Sequence, residues 1–102
     1  MTIQHGFHAT ITAQPGCGGA LAELLLAAPA LTERACVVFL VSRSAADPDI
    51  IHVTEGWTSR QAHSDFFGSA AAQAFTAQLA PLVAGEPAYT DETPIGGRAF
   101  AQ

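Results

Sequence analysis

The chain has 102 residues, 49% of them apolar and only 13% charged, with nine acidic side chains against four basic ones and a net charge of −5. That length holds one domain, residues 1–102, with a single core, and the acidic balance argues against binding to nucleic acid or to anionic membranes. No apolar run reaches the ~18 residues of a spanning helix, the N-terminus lacks the basic and apolar segments of a signal peptide, and two cysteines are too few for a disulfide scaffold, so a cytoplasmic protein with reduced thiols is expected.

From the N-terminus, Phe7, Ala9, Ile11 and Ala13 alternate with His8, Thr10 and Thr12, the pattern of a half-buried strand that Pro15-Gly16 ends. Cys17, Leu21, Leu24, Leu25 and Ala28 then recur at amphipathic helical spacing, with Pro29 just past the end. Gly18 and Gly19 are expected to weaken the first turn by roughly 1 kcal/mol each relative to alanine. Ala35 to Ser42 is an almost unbroken apolar run, too short for a lone helix, and reads as a strand buried on both faces. Residues 43–49 turn the chain.

Ile51, Val53, Glu55 and Trp57 alternate with Ile50, His52, Thr54 and Gly56, which predicts a strand returning antiparallel to the previous one. Thr58 and Ser59 can cap a helix carrying Ala62, His63, Phe66 and Phe67. Gly68 breaks it, and Ser69 can cap a third helix on which Ala72, Phe75, Leu79 and Leu82 share a face. After a connector over residues 81–87, Ala88 to Pro94 reads as a polar edge strand, because Pro94 cannot donate to a ladder. Residues 95–100 read as a tail reaching towards a partner.

The order β-α-β-β-α-α-β is that of the α+β, ferredoxin-like split βαβ arrangement: a four-stranded antiparallel sheet with its helices on one face. The two-sided apolar strand at Cys36–Val41 calls for a cover on the other face, supplied by the sheet of a second copy.

Chemistry-bearing patterns are few. His5 and His8 point to opposite faces of an extended chain and do not make a metal set, nor do His52 and Glu55. Cys17 sits near a helix start but at an apolar position, where a small buried residue is the simpler reading. What remains is an aromatic and histidine set of Phe39, His52, Trp57, His63, Phe66, Phe67, Phe75 and Tyr89. Each of these can be core packing. Together they could line a pocket for a flat apolar ring, with His63 one turn from Phe66 and Phe67.

The sequence Glu55-x-Trp57 at a strand end, followed by Ser59, Ala62, Ser69 and Phe75, with Pro15-Gly16 and Asp47-Pro48 placed as they are, resembles the antibiotic biosynthesis monooxygenase (ABM) family. The resemblance implies a dimeric α/β barrel and a cofactor-independent oxygenation of a quinol or polyphenolic, polyketide-like substrate by O2, without metal or flavin. It matches Trp57 to the family's strand-end aromatic and Glu55 to its acidic partner. Where the family helix often carries a histidine, nine residues after that aromatic, this chain has Phe66. His63 is then the first choice for the proton-accepting group and Trp57 for a wall of the slot. Phe39, His52, Glu55, Phe66, Phe67, Phe75 and Tyr89 are expected around the substrate. A non-catalytic, ligand-binding dimer on the same fold is the alternative reading, and an isomerase or haem-handling enzyme a third.

Light scattering coupled to size exclusion at micromolar protein is expected to give twice the monomer mass; a stable monomer would remove the need for a second sheet.

Overall fold

The computed structural model describes residues 2–98; of the expected tail, Ala99 and Phe100 lie outside them. Four strands, β1 (His5–Thr12), β2 (Cys36–Arg43), β3 (Ile50–Trp57) and β4 (Ala88–Glu92), and three helices, α1 (Gly18–Leu25), α2 (Arg60–Phe67) and α3 (Ala70–Leu79), follow one another as β1-α1-β2-β3-α2-α3-β4. The strands form one antiparallel sheet in the order β2-β3-β1-β4, an α+β, ferredoxin-like arrangement. No described helix is long and apolar enough to cross a membrane.

Strand alternation sets the core. In the β1–β3 ladder Ala9 faces Val53 and Ile11 faces Ile51, and these four side chains are buried together with Ala13, Leu21 and Leu25 from the first strand–helix segment. Ala13 extends β1 by a single bridge to Val83. The predicted caps form: the Ser59 hydroxyl accepts from the Ala62 N–H at 3.0 Å and Ser69 from Ala72 at 3.2 Å, each satisfying a free donor of the first helical turn. Helix α3 ends at Leu79, three residues short of the predicted periodicity, because Pro81 tightens the chain into a 3₁₀ turn over Ala80–Leu82.

Two expectations need correction. Strand β2 is not buried on both faces: it is the sheet edge, Phe39 and Val41 pack on the core, and Leu40 on the other side is 57% exposed. An apolar run reports the absence of polar residues, and an edge position cannot be read from it. The sheet face away from the helices is also more polar than that run suggested. Its centre is His8, Thr10, His52 and Thr54, with Val38 and Leu40 at one side.

The second correction concerns Gly18. Cys17 supplies no side-chain cap to α1; the Asp49 carboxylate does so from the β2–β3 hairpin, accepting from the Gly16 and Gly18 N–H groups at 3.0 Å each. A negative charge there also complements the helix dipole. The contact draws the backbone so close that a Cβ at Gly18 would run into the Pro48 carbonyl oxygen, whereas one at Gly19 would meet only the flexible end of Arg43 at 3.3 Å. Gly16, at φ +82°, supplies the left-handed residue of this turn.

Gly18→Ala is therefore expected to destabilise the fold by ~1–3 kcal/mol through overpacking, against the ~1 kcal/mol gain that helix propensity alone would give. Gly19→Ala should be neutral or mildly stabilising. Chemical denaturation of the two variants checks the contrast.

Candidate functional site

A cavity of about 110 Å³ lies between the helix-side face of the sheet and helices α2 and α3. Its floor comes from the inward positions of the central strands, Phe7, Ala9 and Val53, where the short side chain of Ala9 leaves the space a larger residue would fill. Phe39, Phe66 and Phe75 wall it, and Phe67 and Tyr89, both more than half exposed, stand among its lining. Only a few polar groups enter this surface, chiefly Glu55 and His63.

Glu55 is placed by β3 and held by Trp57. The indole N–H donates to its Oε1 at 2.8 Å. Burial raises the Glu55 carboxyl above its ordinary range, and the hydrogen bond from Trp57 opposes that rise. His63 Nε2 stands 3.8 Å from the same oxygen, too far for a hydrogen bond but near enough for charge on one to be felt by the other. The His63 imidazole packs against Phe7 and Trp57, with ring centroids 4.8 and 5.0 Å away. Burial lowers its pKa first, and neighbouring His5 lowers it further, while Asp91 acts the other way. The net effect favours the uncharged ring, whose nitrogen lone pair can take a proton.

Seven of the nine expected site residues surround this one cavity: Phe39, Glu55, His63, Phe66, Phe67, Phe75 and Tyr89. The other two do not line it. Trp57 is fully buried behind Glu55 and His63, and its N–H is already engaged, so it positions Glu55 rather than stacking on a ligand. His52 is on the opposite face of the sheet, its Nδ1 3.1 Å from the Thr10 hydroxyl and its ring stacked on His8 at 5.6 Å. Even-numbered positions of β3 face away from the helices, and the aromatic set had pooled both faces.

Sequence reasoning did not place His5 or Asp91 at this site. His5 precedes the Phe7–Ile11 alternation by one step and so shares its inward face, buried beside Trp57, its cross-strand partner. Asp91 pairs with Phe7 across the β1–β4 ladder and stands 3.1 Å from His5 Nε2. The inward alternation carried back to residue 5 was the available signal for His5; Asp91 needed the strand order. Cys36, by contrast, is not disposed to act as a nucleophile. Burial foremost, then the Glu55 charge, pushes its thiol up to about 12, and its Sγ donates to the Val38 carbonyl.

A model of the family described as antibiotic biosynthesis monooxygenase matches residues 5–78. The chain belongs to this family. A crystal structure from Chloroflexus aurantiacus J-10-fl, provisionally named an antibiotic biosynthesis monooxygenase, superposes with a TM-score of 0.81 at 28% identity, covering 94% of this chain and 97% of that one. A Mycobacterium tuberculosis protein does so at 0.81 and 25% identity, over 93% and 98%. A Nitrosomonas europaea protein of unknown function shares the fold at 0.82 and 19% identity, over 98% and 97%. No curated protein matches the sequence. Within the ABM frame, Phe66 packs its ring 5.2 Å from Trp57, and His63, one helical turn earlier, reaches the same indole at 5.0 Å.

Proposed function

We propose that this ABM-family protein is a cytoplasmic, cofactor-independent monooxygenase that oxidises a quinol or related phenolic ring with O2, and that His63 is its base. The observation that carries the reading is an imidazole set into the wall of an otherwise aromatic cavity, with one carboxyl group beside it. An apolar slot with few polar groups is what a flat phenol requires. A cavity of about 110 Å³ is below the ~150 Å³ that accommodates benzene in an engineered apolar cavity, so the side chains must yield slightly for one ring. Further rings of a polycyclic substrate would have to project past Phe67 and Tyr89.

In this reading a substrate hydroxyl gives its proton to His63, leaving an electron-rich anion. That anion passes one electron to O2, the resulting pair combines at a ring carbon, and the peroxide so formed takes the proton back. Loss of water then leaves a hydroxyquinone. One quinol and one O2 give one hydroxyquinone and one water, with no outside reductant. Desolvation, which keeps His63 neutral, also raises the energy of the anion next to it. Glu55, fixed by Trp57, bears on the imidazolium that forms.

The enzyme is proposed to work as a homodimer, the second copy covering the sheet face that carries Val38 and Leu40. The alternative, a binding domain without catalysis, is favoured by Phe66 in place of the family histidine.

His63→Ala is expected to lower O2 consumption with a hydroquinone or dihydroxynaphthalene by ~10²–10⁴-fold while the protein stays folded. Ala9→Leu, which fills the cavity floor and leaves His63 in place, should abolish turnover through binding. Wild-type rates in His63→Ala would remove His63 as the base. A wild type that binds these phenols without consuming O2 would establish the binding-domain reading instead.

A further inference from the structure

At the end of β1, beside the cavity, His5, His63 and Asp91 bring one donor atom each to within 4.8 Å of one another. They come from three elements, β1, α2 and β4, and meet only because the β1–β4 register sets Asp91 opposite Phe7, on the inward face that His5 shares. His5 is 5% exposed, and its Nε2 is fully enclosed. That nitrogen lies 3.1 Å from Asp91 Oδ1, yet the alignment is not that of a hydrogen bond, and among the described residues it has no other partner. A buried nitrogen left in this condition has lost its water without gaining a partner in return. Something other than a simple His–Asp hydrogen bond suits the pair.

We infer that His5, His63 and Asp91 form a binding site for one divalent transition-metal ion of the zinc type, and that filling it occupies the lone pair His63 needs as a base. Ligand bonds of ~2.0–2.2 Å place two donors on one tetrahedral ion about 3–3.5 Å apart, which the His5–Asp91 separation already meets. The His63 donor lies within 4.8 Å of both, and Asp91, whose side chain is 60% exposed, is the least enclosed of the three ligands. Two imidazoles and one carboxylate are a donor set that zinc accepts in three-ligand sites with an open fourth position. The Glu55 carboxyl group, with an oxygen 3.8 Å from His63 Nε2, stands beside one of the three ligands. The site departs from the sequence-based expectation of no metal, which weighed His5 with His8 and could not see the other two ligands.

Metal binding here stands apart from the oxygenase reading; only the inhibition rests on it. The test uses the full chain, free of any histidine tag, stripped with a chelator and dialysed. Zinc(II) is titrated by calorimetry, and cobalt(II) by its visible absorption. The wild type is expected to take up one zinc per chain and to give the intense bands of four-coordinate cobalt. His5→Gln and Asp91→Asn should each weaken binding at least about tenfold, with folding checked by circular dichroism. The chain's other two histidines, His8 and His52, stack on the far sheet face. The double variant His8→Gln/His52→Gln should bind zinc like the wild type. Wild-type affinity in Asp91→Asn and His5→Gln, or loss of binding in the double variant, overturns the site. In the oxygen assay zinc should inhibit the wild type, and Asp91→Asn should need at least about tenfold more zinc for the same fractional inhibition. Unchanged inhibition in Asp91→Asn overturns the link to His63, whatever the calorimetry gives.

Discussion

The β1–β3 ladder is the constraint from which the rest of this molecule follows. It runs in unbroken antiparallel register from His5 opposite Trp57 to Thr12 opposite Ile50. Because side chains alternate faces with a period of two, this register sends His5, Phe7, Ala9 and Ile11 inward together with Ile51, Val53, Glu55 and Trp57. A slip of one residue would exchange them for His8, Thr10, His52 and Thr54 and leave the helices facing a polar surface. Cavity floor, buried carboxyl and anchoring indole are therefore consequences of a single pairing.

On that platform the polar groups are few and held with little freedom. Trp57 directs Glu55, and the Ser59 cap starts α2 in the phase that brings His63, Phe66 and Phe67 over the sheet. Burial acts on Glu55 and His63 in the same sense: it disfavours the charged form of each, raising one pKa and lowering the other. A proton donated by a ligand to His63 would create a buried imidazolium next to a carboxyl group already in place. The family fold is shared with proteins whose function is unknown, so membership alone does not supply the chemistry. The side chains of the cavity carry that burden.

Much of the architecture was legible because local signals agreed. Turn residues, two serine caps and period-two alternation gave every strand and helix, with differences of a few residues at the ends. The failures had physical causes. An apolar run at 35–42 could not disclose that β2 would be an edge. Helix propensity at Gly18 could not anticipate the Pro48 carbonyl pressed against it, a contact made across 30 residues. In the site, the expected residues included His52, which the pleat turns away, and Trp57, which is spent as a donor to Glu55. The meeting of His5 with Asp91 was not legible because it depends on β4 pairing with β1, which no local pattern states.

The central claim is that the helix-side cavity, and not the far face of the sheet, receives an aromatic ring next to His63. Backbone amide spectra of the isotope-labelled protein, recorded as a non-oxidisable phenol is added, test it most directly. The account predicts saturable shifts confined to residues around the cavity, such as Ala9, Glu55, His63, Phe67 and Phe75, with those of His8, Thr10 and His52 left in place. Shifts centred on the His8–His52 face, or none at phenol concentrations that saturate small apolar cavities, would contradict it.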